Sequence, residues 1–320
     1  MEMLRPIMMF LLFIPMALLG QKIDNTASFR DIKSQNYIRI NYDNDFFTLS
    51  DFDYTQGISL ELVDSWLKKN PVNYLLISPK QSETRFGLAI EHIVYTPDTL
   101  DTYQIQYGQR PFAAAFMVKS FAIATDTIHK SRIVSSLSLG LIGQGAGGGN
   151  MQKIIHQITG SETPNGWYYQ IRNDLVLNYD LSYEKQLLRL NDFFSLQFNG
   201  GLKVGTLFTN ASLGLNASLG IINSPFTAAK SNTKFQVYLY NQALVNAIGY
   251  DATLQGGIFN NDSPYTIPNS DIERFTLQDN LGIVLQFNRF YLEYVQTFLT
   301  REISTAKAHD WGGMRVGYKF

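Results

Sequence analysis

The last eight residues, Gly313-Met314-Arg315-Val316-Gly317-Tyr318-Lys319-Phe320, decide the reading of the fold. In an extended strand, successive side chains point to opposite faces. Met314, Val316, Tyr318 and Phe320 therefore share one face, and Arg315, Gly317 and Lys319 the other. Apolar-out, polar-in alternation ending on an aromatic residue is the pattern of a transmembrane β-barrel strand.

The same period recurs upstream. Ile38, Ile40, Tyr42 and Phe46 alternate with Arg39, Asn41 and Asp43. Ile58, Leu60 and Leu62 mark a second run, and Phe86, Leu88, Ile90, His92 and Val94 a third. Further runs fall at roughly 112–126, 131–142, 168–188, 192–206, 210–222, 233–246, 271–287, 290–300 and 311–320, about twelve in all. Connections after even-numbered strands are tight at 127–130, 189–191 and 288–289, with 65–83 a long exception. Those after odd-numbered strands are longer at 96–111, 143–167 and 247–270, with 207–209 a short exception. Short periplasmic turns and long outer loops are what an outer-membrane barrel shows. The expected fold is all-β, a twelve-stranded antiparallel transmembrane barrel with a short helix in an outer loop.

The N-terminus agrees. Arg5 precedes an apolar run from Ile7 to Leu19, and Gly20-Gln21 is a plausible cleavage point. The run is too short for a bilayer span, which takes about 20 apolar residues. Residues 1–20 thus read as a signal peptide and 21–320 as the barrel. A soluble β-sandwich would also alternate, but the leader, the terminal Phe320 and the asymmetric connections favour the barrel.

Composition excludes several classes. The chain of 320 residues has a net charge of −1, which disfavours a nucleic-acid surface. It has no cysteine, and so neither a disulfide framework nor a thiolate metal site. Mean hydropathy is −0.09, too polar for a helical membrane protein yet compatible with alternating strands.

Three polar clusters fall on outer connections: Asp43-Asn44-Asp45, Asp53-Tyr54-Thr55-Gln56-Gly57, and the glycine-rich run 143–150 leading into Met151-Gln152-Lys153-Ile154-Ile155-His156. Asn150 is a candidate N-cap, and 151–158 reads as a helix with Met151, Ile154, Ile155 and Ile158 on its apolar side. Gln152 and His156 are four apart and share a face. Gly143-x-Gly145 lacks the βαβ context of a dinucleotide site and any Gly-Lys-Ser/Thr ending. The glycines instead permit a close backbone approach of the helix to the barrel. Taken singly, His156, Asp45 and Thr55 are ordinary surface, turn and strand residues. Their shared level on one rim is what raises them.

The set Asn44-Asp45, Tyr54-Thr55-Gln56-Gly57, Gly108-Gln109-Arg110-Pro111-Phe112-Ala113, Leu139-Gly140-x-x-Gly143 and Gln152-x-x-x-His156 resembles the LpxR-type lipid A 3-O-deacylases. The likeness continues in Gly160-x-Glu162, Trp167-x-x-Gln170-Ile171-x-Asn173 and Thr253-Leu254-Gln255-Gly256. It implies a Ca²⁺-dependent esterase of the Gram-negative outer membrane, facing outside, that removes the 3′-acyloxyacyl group from lipid A of lipopolysaccharide. By motif, His156 would be the general base. Gln152 would shape the site from the same helix. Asn44 and Thr55 would wall it, Asp45 would ligate the metal, and Glu162 would support the helix. A monomer is expected, with no nucleic-acid partner. No Gly-x-Ser-x-Gly is present, so direct attack by water is favoured over an acyl-enzyme. Gln109 stands where the family often has Asp, and no lysine follows Tyr95-Thr96-Pro97. The alternatives are a catalytically silent relative and a small passive channel.

Overall fold

Alternation along each strand, continued around a closed sheet, sorts the side chains of this chain into two media. The computed structural model describes residues 30–45, 53–160, 164–229 and 235–320, without the side chains of 53–55 and 159. The proposed leader, Phe46 and Glu162 lie outside the described residues. Among these, twelve strands form one closed antiparallel barrel. They are β1 (Tyr37–Asn44), β2 (Asp53–Val63), β3 (Glu83–Thr96), β4 (Ala113–Asp126), β5 (Ser131–Ile142) and β6 (Asp174–Leu190). Then follow β7 (Phe194–Gly205), β8 (Phe208–Ile221), β9 (Phe235–Asp251), β10 (Phe275–Phe287), β11 (Phe290–Leu299) and β12 (His309–Lys319). Each pairs with its sequence neighbours, and β12 returns to β1 in the register Tyr37↔Lys319 to Asn44↔Gly312. Closure leaves no unpaired edge, the condition for a sheet to survive in hydrocarbon.

The exterior face carries Ile38, Ile40, Leu60, Ile90, Phe116, Val118, Leu139, Leu213, Leu239, Leu292, Met314 and Val316, all exposed. Such a belt is stable only against lipid. The interior face is charged and paired: Arg39 with Glu61 (2.8 Å), Arg315 with Asp43 (3.1 Å), Arg132 with Glu184 (2.8 Å), and Lys119 with Glu91 (3.3 Å) and Asp180 (3.5 Å). Among the described residues, no helix is long and apolar enough to cross a membrane; the crossing is made by strands.

We call the end where odd-numbered strands finish the upper end. At the lower end, residues 30–36 fold back into the lumen before β1 begins. Arg30 pairs with Glu293 (2.8 Å), Asp31 with Arg85 and with Arg132 (3.7 Å), and Ile32 is fully buried. Lys33 donates to the carbonyls of Pro225 and of Thr227 (3.0 Å) in the β8–β9 connection. Phe226 of that connection is buried beneath the Arg132 guanidinium, 5.3 Å from its ring. The two segments together plug the lower lumen.

Three boundaries shift by four residues or more from the sequence reading. The expected strand 168–188 starts only at Asp174, because Gly166–Tyr169 forms a 3₁₀ turn that buries Trp167. The run expected at 233–246 continues to Asp251. The run expected from 271 starts at Phe275, after a 3₁₀ turn at Asn269–Asp271. The tight lower turns are as expected, with Lys130, Asn191 and Asn288 at positive φ (52°, 50° and 52°).

Candidate active site

The site is built around the connection from β5 to β6. Gly143 (φ 103°) turns the chain out of β5, its N–H donating to Ala114 O (2.8 Å). A 3₁₀ turn at Gln144–Ala146 follows, then Gly147 (φ 77°), then the helix α1 (Gly148–Thr159). Gly160 (φ 73°) ends α1, donating to His156 O. Gly145 N donates to Asn173 Oδ1 (2.7 Å), and His92 Nε2 on β3 donates to Ala146 O (2.9 Å). The loop is thus tied to β4, to β3 and to the segment leading into β6.

The helix begins earlier than the sequence suggested. Gly147 is its N-cap, and Asn150 lies inside the first turn. Packing is the reason. A Cβ on Gly148 would collide with Ala114 and lie 2.9 Å from Trp167 Cη2; one on Gly149 would lie 2.9 Å from Trp167 Cγ. The first turn therefore rests directly on the indole, as the expected close approach requires. Met151 packs on the cluster of Val94, Phe112, Ala114, Ala146 and Trp167.

Which side of the wall this is follows from parity. Val94 shares its face with exposed Ile90, and Ala114 with exposed Phe116 and Val118, whereas Glu91 and Lys119 pair inside. So α1 lies against the outside of the barrel, at its upper end. Gln152 is 2% exposed and faces the wall, and His156, one turn on, is half-buried. Ile154 and Ile158, on the apolar side of the expected helix, are 57% and 80% exposed and face away.

The other candidates share the upper end and this sector. Asn44 closes β1 opposite Gln56 of β2, and Gln56 lies opposite Val94 of β3. At a strand spacing of about 4.8 Å, the Asn44 backbone is roughly 10 Å from that of Val94, which touches the α1 cluster. All three are on the exterior-facing register. Asp45 follows directly, 4% exposed, and interacts electrostatically with the Tyr42 phenol. Thr55 is the extra residue at a register shift between Tyr54 and Gln56 that breaks the β2–β3 ladder. The imidazole and the carboxylate are thus at the same end of the cylinder. Asn44 and Asp45 bring side-chain oxygens to this end, and the imidazole stands on α1 at the same end. That is a donor set suited to a hard cation and to ester chemistry.

Sequence reasoning gave no role to three residues that organise this end. Trp167 Nε1 donates to Gln152 Oε1 (2.6 Å). Arg110 is buried, donating to Glu302 Oε2 (3.1 Å) and Thr253 Oγ1 (3.0 Å), near Asp251 (3.9 Å) and 4.2 Å from the Tyr95 ring centre. It ties three upper connections across the mouth. His92 clamps the glycine loop. The motifs around Trp167 and Arg110 were visible; their partners, far away in sequence, were not. Gln109 accepts from Asp98 N (2.9 Å), bracing its own loop. A polar cavity lined by Glu91, Lys119, Asp180, Asp251 and His309 lies inside the lumen, across the wall from α1.

Residues 7–320 match the family model described as outer membrane protein LpxR. The chain belongs to the LpxR family. Among curated proteins, no sequence matches it. Among solved structures, LpxR from Salmonella typhimurium superposes with a TM-score of 0.71 at 16% identity, covering 89% of this chain and 100% of that one. The β domain of the Bordetella autotransporter BrkA (TM-score 0.47, 11% identity, 90% and 100% covered) is a more distant barrel. The translocator domain of NalP from Neisseria meningitidis is equally distant (TM-score 0.47, 12% identity, 91% and 90% covered). The expected twelve-stranded outer-membrane barrel is therefore the LpxR fold, and the chain is an outer-membrane protein of that family.

Proposed function

We propose that this LpxR-family barrel is a lipid A deacylase that hydrolyses the ester of the 3′-linked acyloxyacyl group. The observation that carries the reading is the position of α1: Gln152 and His156 lie on the lipid-facing side of the wall, in the sector of Asn44 and Asp45. A glycolipid in the surrounding leaflet reaches such a seam without leaving the membrane. In this reading the upper end faces the cell exterior, where lipopolysaccharide resides.

His156 takes a proton from water as the water oxygen attacks the acyl carbonyl carbon. It then returns that proton to the departing sugar oxygen, leaving a free fatty acid and a sugar hydroxyl. A positioned base of this kind is worth about 10²–10⁴-fold. Asp45, with the amide oxygen of Asn44 and nearby carbonyls, would hold Ca²⁺. The donor set is all oxygen, which fits that ion. Bound there, the ion would supply positive charge for the carbonyl oxygen. By family motif, Thr55 and Asn44 would wall the site and Glu162 would support the helix.

Mass spectrometry of lipid A from cells with and without the protein tests this. Loss of one acyloxyacyl mass with wild type, absent with His156→Ala and after Ca²⁺ chelation, is expected. Unchanged lipid A with folded wild type would favour a silent relative, the reading that Gln109 and the missing lysine motivate. The filled lumen counts against a channel.

A further inference from the structure

The two ends of a glutamine amide differ chemically, one accepting and one donating. In α1 that choice is made by Trp167. An indole N–H can only donate, so the atom 2.6 Å from Trp167 Nε1 is the Gln152 oxygen. Nε2 then occupies the other end. It is buried, and among the described residues it has no hydrogen-bond partner. A buried donor left unpaired costs about 1–3 kcal/mol, so its retention calls for an acceptor that arrives from outside the chain.

The indole itself is held firmly. Its ring lies 5.1 Å from that of Phe112, and Gly148 and Gly149 of α1 rest on it without side chains. Gly166, which precedes it, touches Phe112 where a Cβ would not fit. Ile171 N donates to Phe112 O (2.9 Å), fixing the following turn to the same strand end. Three glycines and an aromatic pair thus aim a single N–H.

We propose that Trp167 is a positioning residue that locks the Gln152 amide so that Nε2 donates to the carbonyl oxygen of the scissile acyl ester. This rests on the deacylase reading. The lock works on one atom: with the indole N–H removed, the amide can rotate and present its oxygen to the substrate carbonyl, which repels it.

The test uses the full chain in detergent micelles, lipid A as substrate, and three variants. Gln152→Glu keeps an acceptor for Trp167 but has no N–H to offer. Trp167→Phe keeps an aromatic ring but removes the donor. The third variant combines them. Heat-dependent mobility on SDS gels confirms that each barrel is folded. The expected result is that Gln152→Glu and Trp167→Phe each lower kcat about tenfold or more with KM little changed, the loss of roughly one hydrogen bond. The double variant should be no worse than Gln152→Glu alone, because both act on the same N–H. Wild-type kcat in Gln152→Glu, or a Trp167→Phe variant that changes only thermal stability, overturns the inference. Hydrogen exchange of the Trp167 indole N–H, followed by NMR, gives a readout independent of turnover. Slow exchange in wild type and fast exchange in Gln152→Ala is expected; fast exchange in wild type overturns the lock. If wild type releases no acyl chain, the deacylase reading falls, and the exchange data still decide the lock.

Discussion

Glycine at 149 does what no other residue could do at that position, because the indole of Trp167 occupies the space a side chain would need. Gly149→Ala forces either the ring or the helix to move, a strain of about 1–3 kcal/mol. Acyl release should fall about tenfold with the barrel still folded by SDS-gel mobility. Gly145→Ala, whose Cβ would come no closer than 3.4 Å to a neighbour, Asn173 Oδ1, should stay near wild type. Sequence alone showed that this glycine run permits close approach. It did not show what was approached, since Trp167 and Ala114 are brought to the run only by folding. The same blindness hid the Gln152–Trp167 bond and the Arg110 knot. Capping preference pointed to Asn150, but contact with the indole drew the helix start back to Gly148 and outweighed it.

At the scale of the element, α1 is amphipathic, as the spacing of Met151, Ile154, Ile155 and Ile158 predicts, and the medium around it sets its orientation. The rule that the apolar stripe faces the protein assumes that water lies on the other side. Beside an outer-membrane barrel the other side is lipid or its headgroups, and Ile154 and Ile158 face there while Gln152 and His156 face the wall. A helix at such an interface buries its apolar side among acyl chains. Ile154→Asp with Ile158→Asp should therefore slow release from lipid A in vesicles by about tenfold. It should leave hydrolysis of a water-soluble short-chain ester within about twofold, measured on the same preparation. Equal loss on both substrates would mean that these residues hold the helix rather than seat it in the membrane. The strands themselves were legible because period two is imposed by two media, lipid and lumen. The largest departure is the start of β6, where Trp167 imitates a strand residue by sequence while sitting in a turn.

For the whole molecule, the lumen is the informative region. Its lower half is filled by residues 30–36, the 222–229 connection and the surrounding ion pairs. Planar-bilayer recordings should show no stable conductance steps, and regular openings would contradict the plug. Its pH response follows from two groups. Burial pulls the Lys33 ammonium down to about 7, partly opposed by Asp31. The unfolded chain, where lysine titrates near 10.4, binds more protons in between, so the plug gains stability as pH rises from about 7 towards 10. Burial raises the Asp31 carboxyl, but Arg85, Arg132 and Lys33 more than offset this and hold it below the ordinary carboxylate value. Its contribution is present above that value and is lost as pH falls through the acid range. The temperature at which the compact SDS-gel form disappears should rise between pH 7 and 9.5 in wild type, and Lys33→Met should flatten that rise.

The place where the cylinder joins has a consequence of its own. Asn44 ends the first strand, and its partner on one side, Gly312, belongs to the last; just beneath, Asp43 meets Arg315 across the same junction. Until the final strand arrives, the tip bearing Asn44 and Asp45 has only one neighbour to hold it. On the deacylase reading, a chain in transit through the cell would carry every part of its catalyst and yet stay inert towards precursor glycolipids, and hydrolytic competence would come with the last pairing, at the destination.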